Sequence, residues 1–394
     1  MSMRRKFIVQ AAGGTAAVAL VGVSPAQANQ GVSKTEIVIG SIQDLSGPIA
    51  VLGKPVQNGM ILRTEQINAA GGINGRKLKL VVEDSGYDPK KGVLAAQKLL
   101  NQDKIFAMVA TMGSPVSLAT LPLVIDKGVA HLFPITAHTG NFEPLHKLKF
   151  SSSNPYPNTT RTGLSLMMKM KPYKRVAIIY QDDEYGLDVL RGAEATLKDA
   201  GMTLVEKTSY KRGATDFSSQ MQKLKAANPD LIILATIVRE TIGAMAAARQ
   251  LGYTGDFFGS EAAYQPAVAK AGGKVVEGLY AVSTVPTPYR DDPGNSKSLN
   301  EWMDAYKTRF KEDPDLYSVY GSLMVDMFAK AAEKAGPNLT IDALVKSLET
   351  NPYPRTFFGN PEISFSPTKR MGQDQARLAQ IRNGRWANAS EFSR

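Results

Sequence analysis

K-I-F-A-M-V-A-T-M-G-S-P-V-S, residues 104–117, is the stretch on which the fold turns. Residues 105–110 form a short apolar run of the kind a buried parallel strand shows. Val116, Leu118, Ala119, Leu121, Leu123 and Val124 then mark an amphipathic helix. Between the two lies Thr111-Met112-Gly113-Ser114-Pro115. Ser114 offers a side-chain oxygen to cap the helix, and Pro115 suits a first turn because it has no N–H to leave unpaired. Gly113 admits close approach of a ligand to the backbone. A strand end running into a helix start is where an α/β protein binds a small anion, through free N–H groups and the helix dipole. Two readings stand: a capped βα turn with no ligand, or one wall of an anion site formed by Met112, Gly113 and Ser114.

Working outward, strands and helices alternate. Strands are expected at 36–42, 77–83 and 129–133, and helices at 55–70 and 90–102, the first stopped by Gly71-Gly72 and the second started by Asp88-Pro89. The strand at 129–133 runs into Pro134, Ile135, Thr136 and Ala137, a second loop at a strand end. Residues 150–158, F-S-S-S-N-P-Y-P-N, break the rhythm and read as a linker. The pattern then restarts, with strands at 175–180, 203–210, 230–236, 256–259 and 278–283 and helices at 159–170, 186–200, 216–227 and 239–251. A Pro/Gly-rich second crossing at 284–294 leads to helices at 300–310, 318–334 and 341–349. Near the end, Asn383-Gly384 between alternating runs signals a two-residue hairpin. The fold class is therefore α/β: two Rossmann-like lobes with parallel sheets joined by hinge crossings, one from residues 29–154 plus 284–358, the other from 155–283 plus 359–394. Such lobes close on a ligand held in the cleft by loops at strand ends.

The 394 residues suffice for two such cores, and 43% hydrophobic with 21% charged residues is a globular balance. The absence of cysteine excludes disulfides, thiolate metal sites and cysteine nucleophiles together. The formal charge is +11, to which Arg4, Arg5 and Lys6 contribute three, leaving +8 once a leader is removed. The remaining basic residues are dispersed among acids rather than interleaved with aromatics, which argues against nucleic acid as a partner. Residues 1–28 read as an export signal, with a basic start, a mildly apolar core and Ala26-Gln27-Ala28 as cleavage site. Arg4-Arg5-Lys6-Phe7-Ile8 resembles a twin-arginine motif, and an ordinary secretory signal with two arginines is the alternative. No other stretch has the roughly 20 apolar residues of a membrane span.

The runs I-V-I-G-S-I-Q-D-L-S-G-P-I-A-V-L-G, E-Q-I-N-A-A-G-G-I-N-G-R-K-L-K-L-V-V-E-D and I-I-Y-Q-D-D-E-Y-G, in this order, resemble the type I periplasmic binding proteins. The similarity is greatest to the leucine/isoleucine/valine-binding branch that serves ABC importers, and it covers essentially the whole mature chain. It implies a periplasmic, monomeric protein without cofactor or chemical step, which binds a small carboxylate and hands it to an inner-membrane ABC permease. By position, the resemblance assigns the ligand carboxylate to Ser114 and the loop of Ile135, Thr136 and Ala137. It assigns Tyr185 to the other wall, and Glu261 to the ligand's ammonium group. A zwitterion needs donors at one end and a carboxylate at the other. The chain departs from the family at Leu52, and at Ile237 and Val238, where amino-acid binders often carry aromatics. The disulfide of some relatives would join the positions of Tyr87 and Gly113 and is absent. A hydrophobic amino acid and an aromatic carboxylate or amide therefore both stay open as ligand, as does a sensory role on the same fold.

Other motifs lead nowhere. The three histidines, His131, His138 and His146, have no metal-ligand spacing, and Asp182-Asp183-Glu184 lacks the twelve-residue calcium pattern. Gly71-Gly72-x-x-Gly75 is not set between a strand and a helix, and no G-x-S-x-G elbow occurs. Arg239 beside Glu240 reads as a helix-start ion pair rather than as a ligand contact.

Overall fold

Two separate sheets organise the chain. The computed structural model describes residues 30–394, and the expected leader lies outside the described residues. The first sheet contains β1 (Glu36–Gln43), β2 (Lys77–Asp84), β3 (Ala107–Val109), β4 (Ala130–Leu132) and β5 (Lys149–Phe150), in the order β2-β1-β3-β4-β5. Every pair in it is parallel. Strand β3 covers only part of its apolar run, and Ala110 at its end takes φ 59°. Helices α1 (Ala50–Ala69), α2 (Pro89–Asn101) and α3 (Ser114–Asp126) form its crossovers. Helix α1 starts ahead of Pro55, earlier than the 55–70 expected, because the Asp44 carboxylate ties down the Gly47 and Ile49 N–H groups at 2.5 and 2.8 Å.

The second sheet holds β6 (Val176–Gln181), β7 (Glu206–Tyr210), β8 (Leu231–Ala235), β9 (Asp256–Gly259), β10 (Tyr280–Ser283), β11 (Arg377–Arg382) and β12 (Arg385–Asn388). Their order is β12-β11-β10-β9-β8-β6-β7, parallel from β6 to β10 and antiparallel through the last two. Helices α4 (Tyr156–Met170), α5 (Glu184–Asp199), α6 (Ser218–Ala226), α7 (Arg239–Gln250) and α8 (Pro266–Gly272) accompany it. Helix α4 takes up part of the expected linker, with Pro155 at its cap. Asn383 (φ 54°) and Gly384 (φ 72°) both take the left-handed conformation that a type I′ hairpin turn requires. Gly384→Ala adds a Cβ to this conformation and should cost about 1 kcal/mol of stability, read as a lower urea midpoint at unchanged slope.

Helices α9 (Lys297–Phe310), α10 (Leu316–Lys334) and α11 (Ile341–Thr350) return to the first sheet, where α10 lies along α1. Glycines let the two backbones touch. A Cβ on Gly59 would sit 2.0 Å from the Ser318 carbonyl oxygen, and one on Gly321 would sit 2.1 Å from that of Val56. The last crossing falls later than the 358/359 boundary read from the sequence. Phe365 packs against Phe133 and Phe150, with ring centroids 6.0 and 5.1 Å apart, and Ser151 bridges to Met371, so residues 359–371 stay with the first lobe. The apolar contact of Phe365 decides the packing.

Candidate ligand-binding site

The start of α3 differs from the sequence expectation in one respect. Gly113, at φ 84° and ψ 138°, is the capping residue, and Ser114 is the first residue of the helix. The Ser114 hydroxyl therefore does not cap; it pairs with Thr136 Oγ1 at 2.6 Å. First-turn N–H groups have no acceptor within the helix, so the Ser114 amide stays available to a ligand. The loops after β3 and β4 are zipped together, Gly113 N–H to Ile135 O at 3.1 Å and Ile135 N–H to Thr111 O at 2.9 Å. A Cβ on Gly113 would meet Tyr87 Cε2 at 2.3 Å, so glycine lets the Tyr87 ring lie against the turn.

On the opposite lobe, Asp183 caps α5 by accepting the N–H groups of Tyr185 and Gly186 at 3.1 and 3.5 Å. The Tyr185 hydroxyl donates to Thr236 O at 3.0 Å and lies 2.7 Å from Ser260 Oγ. Its ring meets that of Tyr156 edge-on, 5.0 Å between centroids. The lobes are closed on each other. Across the cleft, Thr139 N–H donates to Asp188 Oδ2 at 3.0 Å, Arg212 Nη1 to Tyr87 O at 3.1 Å and Gln265 Nε2 to the Tyr317 hydroxyl at 2.8 Å.

Two adjoining cavities remain between the lobes. One is bounded by Leu52, Met112, Gly113, Ser114, Tyr185 and Ile237, with Tyr87 over them. The other is bounded by Thr136, Ala137, Glu261, Gln265, Tyr317 and Tyr320. Ile135, Tyr156, Ala262 and Tyr317 line both, so the two cavities lie side by side. They admit water centres over about 30 and 40 Å³ respectively, room for a few waters each. Every residue assigned to the ligand from the sequence, and Leu52 and Ile237 besides, borders one of these cavities, whereas Val238 borders neither.

Glu261 is the charged group in it. Its Oε1 accepts from Thr284 Oγ1 at 2.5 Å and from the Tyr320 hydroxyl at 3.3 Å. Its Oε2 is sealed from solvent and has no hydrogen-bond partner among the described residues. Burial pushes the carboxyl up to about 7 from 4.5, against the two hydroxyl bonds that favour the anion. Burial likewise raises the phenols of Tyr156, Tyr185, Tyr317 and Tyr320, which keeps them neutral donors. Asp315 orients the last two: its carboxylate accepts the Tyr317 and Ser318 N–H groups at 2.8 and 3.0 Å, while Ser318 Oγ accepts from the Asp315 N–H.

Sequence reading missed the tyrosines other than Tyr185. Tyr156 sits in Pro-Tyr-Pro, within the stretch that reads as a linker; Tyr317 precedes the helix expected at 318–334, and Tyr320 falls inside it with no role assigned. Tyr87 was noted only for an absent disulfide. A pattern of tyrosines beside caps and prolines was the available signal. Arg239 lies 3.5 Å from Glu240, outside the cleft. His131 is buried in the first lobe with its pKa lowered to about 4 by that burial.

Residues 36–385 match the periplasmic binding protein family. A Leu/Ile/Val-binding protein homolog of Brucella suis is 27% identical over 310 residues, covering 76% of this chain and 75% of its own. A fatty acid ABC transporter substrate-binding protein from Thermomonospora curvata superposes with TM-score 0.83 at 22% identity, over 93% of this chain and 94% of its own. An ABC-transporter solute-binding protein from R. palustris in complex with benzoate superposes with TM-score 0.78 at 16% identity, over 89% and 95%. With a family match spanning both lobes and all three crossings, this chain belongs to the periplasmic binding protein family, in its type I, two-lobed form.

Proposed function

We propose that this chain is the extracytoplasmic solute-binding protein of an ABC importer, and that its ligand is a hydrophobic α-amino acid. The chain acts as a monomer that closes its lobes on the ligand and presents it to the permease. Binding and closure are the whole mechanism. The ligand carboxylate takes the Ser114 N–H and the Ser114–Thr136 hydroxyl pair. Its ammonium pairs with Glu261, and its side chain fills the space between Leu52, Met112, Tyr185 and Ile237. The observation that supports this reading best is that Glu261, whose Oε2 is buried without a hydrogen-bond partner among the described residues, lines the same cavity as Thr136. A buried carboxylate oxygen without a donor costs free energy that a ligand ammonium would recover.

An aromatic carboxylate is the second reading, favoured by the rings of Tyr87, Tyr156, Tyr185 and Tyr317 around the Ser114 cavity. The test is calorimetric titration of refolded protein, freed of carried-over solute, with leucine, isoleucine, valine and benzoate. Saturable binding of the amino acids supports the first reading. Binding of benzoate alone replaces it with the second, and binding of none of the four removes both.

A further inference from the structure

Glu261 is not the only residue lining its cavity that keeps a buried acceptor without a donor among the described residues. Gln265 is 1% exposed and lines the same wall. Its Nε2 donates to the Tyr317 hydroxyl at 2.8 Å and to Ala262 O at 3.4 Å. Because the Ala262 carbonyl can only accept, these bonds fix which end of the amide is nitrogen. Its Oε1 is then the outstanding acceptor, sealed from solvent and with no partner among the described residues. The backbone is anchored too, since the Gln265 carbonyl accepts from Trp386 Nε1 at 2.7 Å. The side chain thus has a fixed place, one bond across the cleft to the first lobe, and one unused acceptor.

We propose that Gln265 is a specificity-determining residue, whose Oε1 accepts a second N–H from the donor-rich head group that Glu261 pairs with. This rests on the amino-acid reading given above and deepens it. An ammonium has three N–H bonds to distribute and can serve both acceptors, whereas a hydroxyl has one O–H and leaves an acceptor stranded. The site therefore rejects the α-hydroxy acid of the same shape. The same residue links recognition to closure, because the amide that reads the ligand is held by Tyr317 of the opposite lobe.

The experiment compares dissociation constants for leucine and for 2-hydroxy-4-methylpentanoate in the wild type, Gln265→Met and Gln265→Glu. The methionine variant keeps the volume and loses the acceptor; the glutamate variant keeps an acceptor. The expected result is that wild type prefers leucine by roughly 100-fold. That preference should shrink by about tenfold in Gln265→Met and persist in Gln265→Glu. Thermal melts of both variants check that each is folded. Leucine binding with an unchanged preference in a folded Gln265→Met protein overturns the role of Gln265 while leaving the amino-acid reading standing. Failure of leucine, isoleucine and valine all to bind wild type removes the parent reading, and this proposal with it.

Discussion

Glu261→Ala is expected to weaken leucine binding by at least about 100-fold, about 3 kcal/mol, because it strands a desolvated ammonium without its counter-charge. Benzoate, which has no ammonium, should keep its affinity or gain. The pH dependence separates the same two ligands without a mutation. In the empty cleft the Glu261 carboxyl titrates at about 7, against an ordinary value of 4.5. Its folded-state value is raised, so it contributes stability that is fully present below 4.5 and is lost as pH rises through 7. The empty protein should accordingly lose melting temperature from this group over that interval. Leucine must find the carboxylate ionised, and binding then expels a proton below neutrality. Its affinity should rise by up to about tenfold per pH unit below pH 7 and level off above it. Affinity for a ligand without an ammonium should stay flat or fall over the same range. Titrations at several pH values, each in two buffers of different ionisation enthalpy, measure both the slope and the proton count. A flat leucine profile in a protein that binds leucine would remove Glu261 as the ammonium partner.

Gly321→Ala is expected to be strongly destabilising although it lies away from the cleft. The added methyl would lie 2.1 Å from Val56 O and 3.0 Å from Met60 N, both backbone atoms of a buried helix that cannot rotate aside. Helices α1 and α10 must separate, at a cost of about 3 kcal/mol. The consequence reaches the ligand, because α10 positions Tyr317 and Tyr320 on the cavity wall. A urea titration should show the lower midpoint, and calorimetry a weaker ligand affinity in the fraction that remains folded. An unchanged midpoint would mean that the two helices slide past the added methyl.

The alternating strands and helices were legible because buried parallel strands read as short apolar runs, as at Ile178 and Ile233, both 0% exposed. The loops at strand ends were legible for the same reason, but it was the resemblance to the family that placed Ser114, Thr136, Tyr185 and Glu261 at one site. What stayed hidden depended on contacts distant in sequence. Tyr317 and Tyr320 reach the cleft only because α10 crosses α1 at two glycines, and helical spacing alone assigns such rings to a core. Helix α8 was not read, since Pro266, Ala267, Ala269 and Gly272 supply little amphipathic contrast. Ser114 was read as a cap from its residue type, but the positive φ of Gly113 passes the capping position one residue back and leaves the Ser114 hydroxyl for Thr136.

The route of the chain between its sheets bears on the order in which the protein can be made. Strand β10 pairs with β11 through Tyr280↔Gln380 and Ser283↔Arg377, and α1 waits for α10 to cover Val56 and Met60. A nascent chain released up to residue 283 therefore has an unpaired sheet edge in one half and an uncovered apolar helix in the other. Neither half is a unit that folds as it emerges, and the closing contacts join residues far apart in sequence, the topology that folds slowly. Resistance to protease should thus appear late and in both halves together, once the final hairpin has left the ribosome.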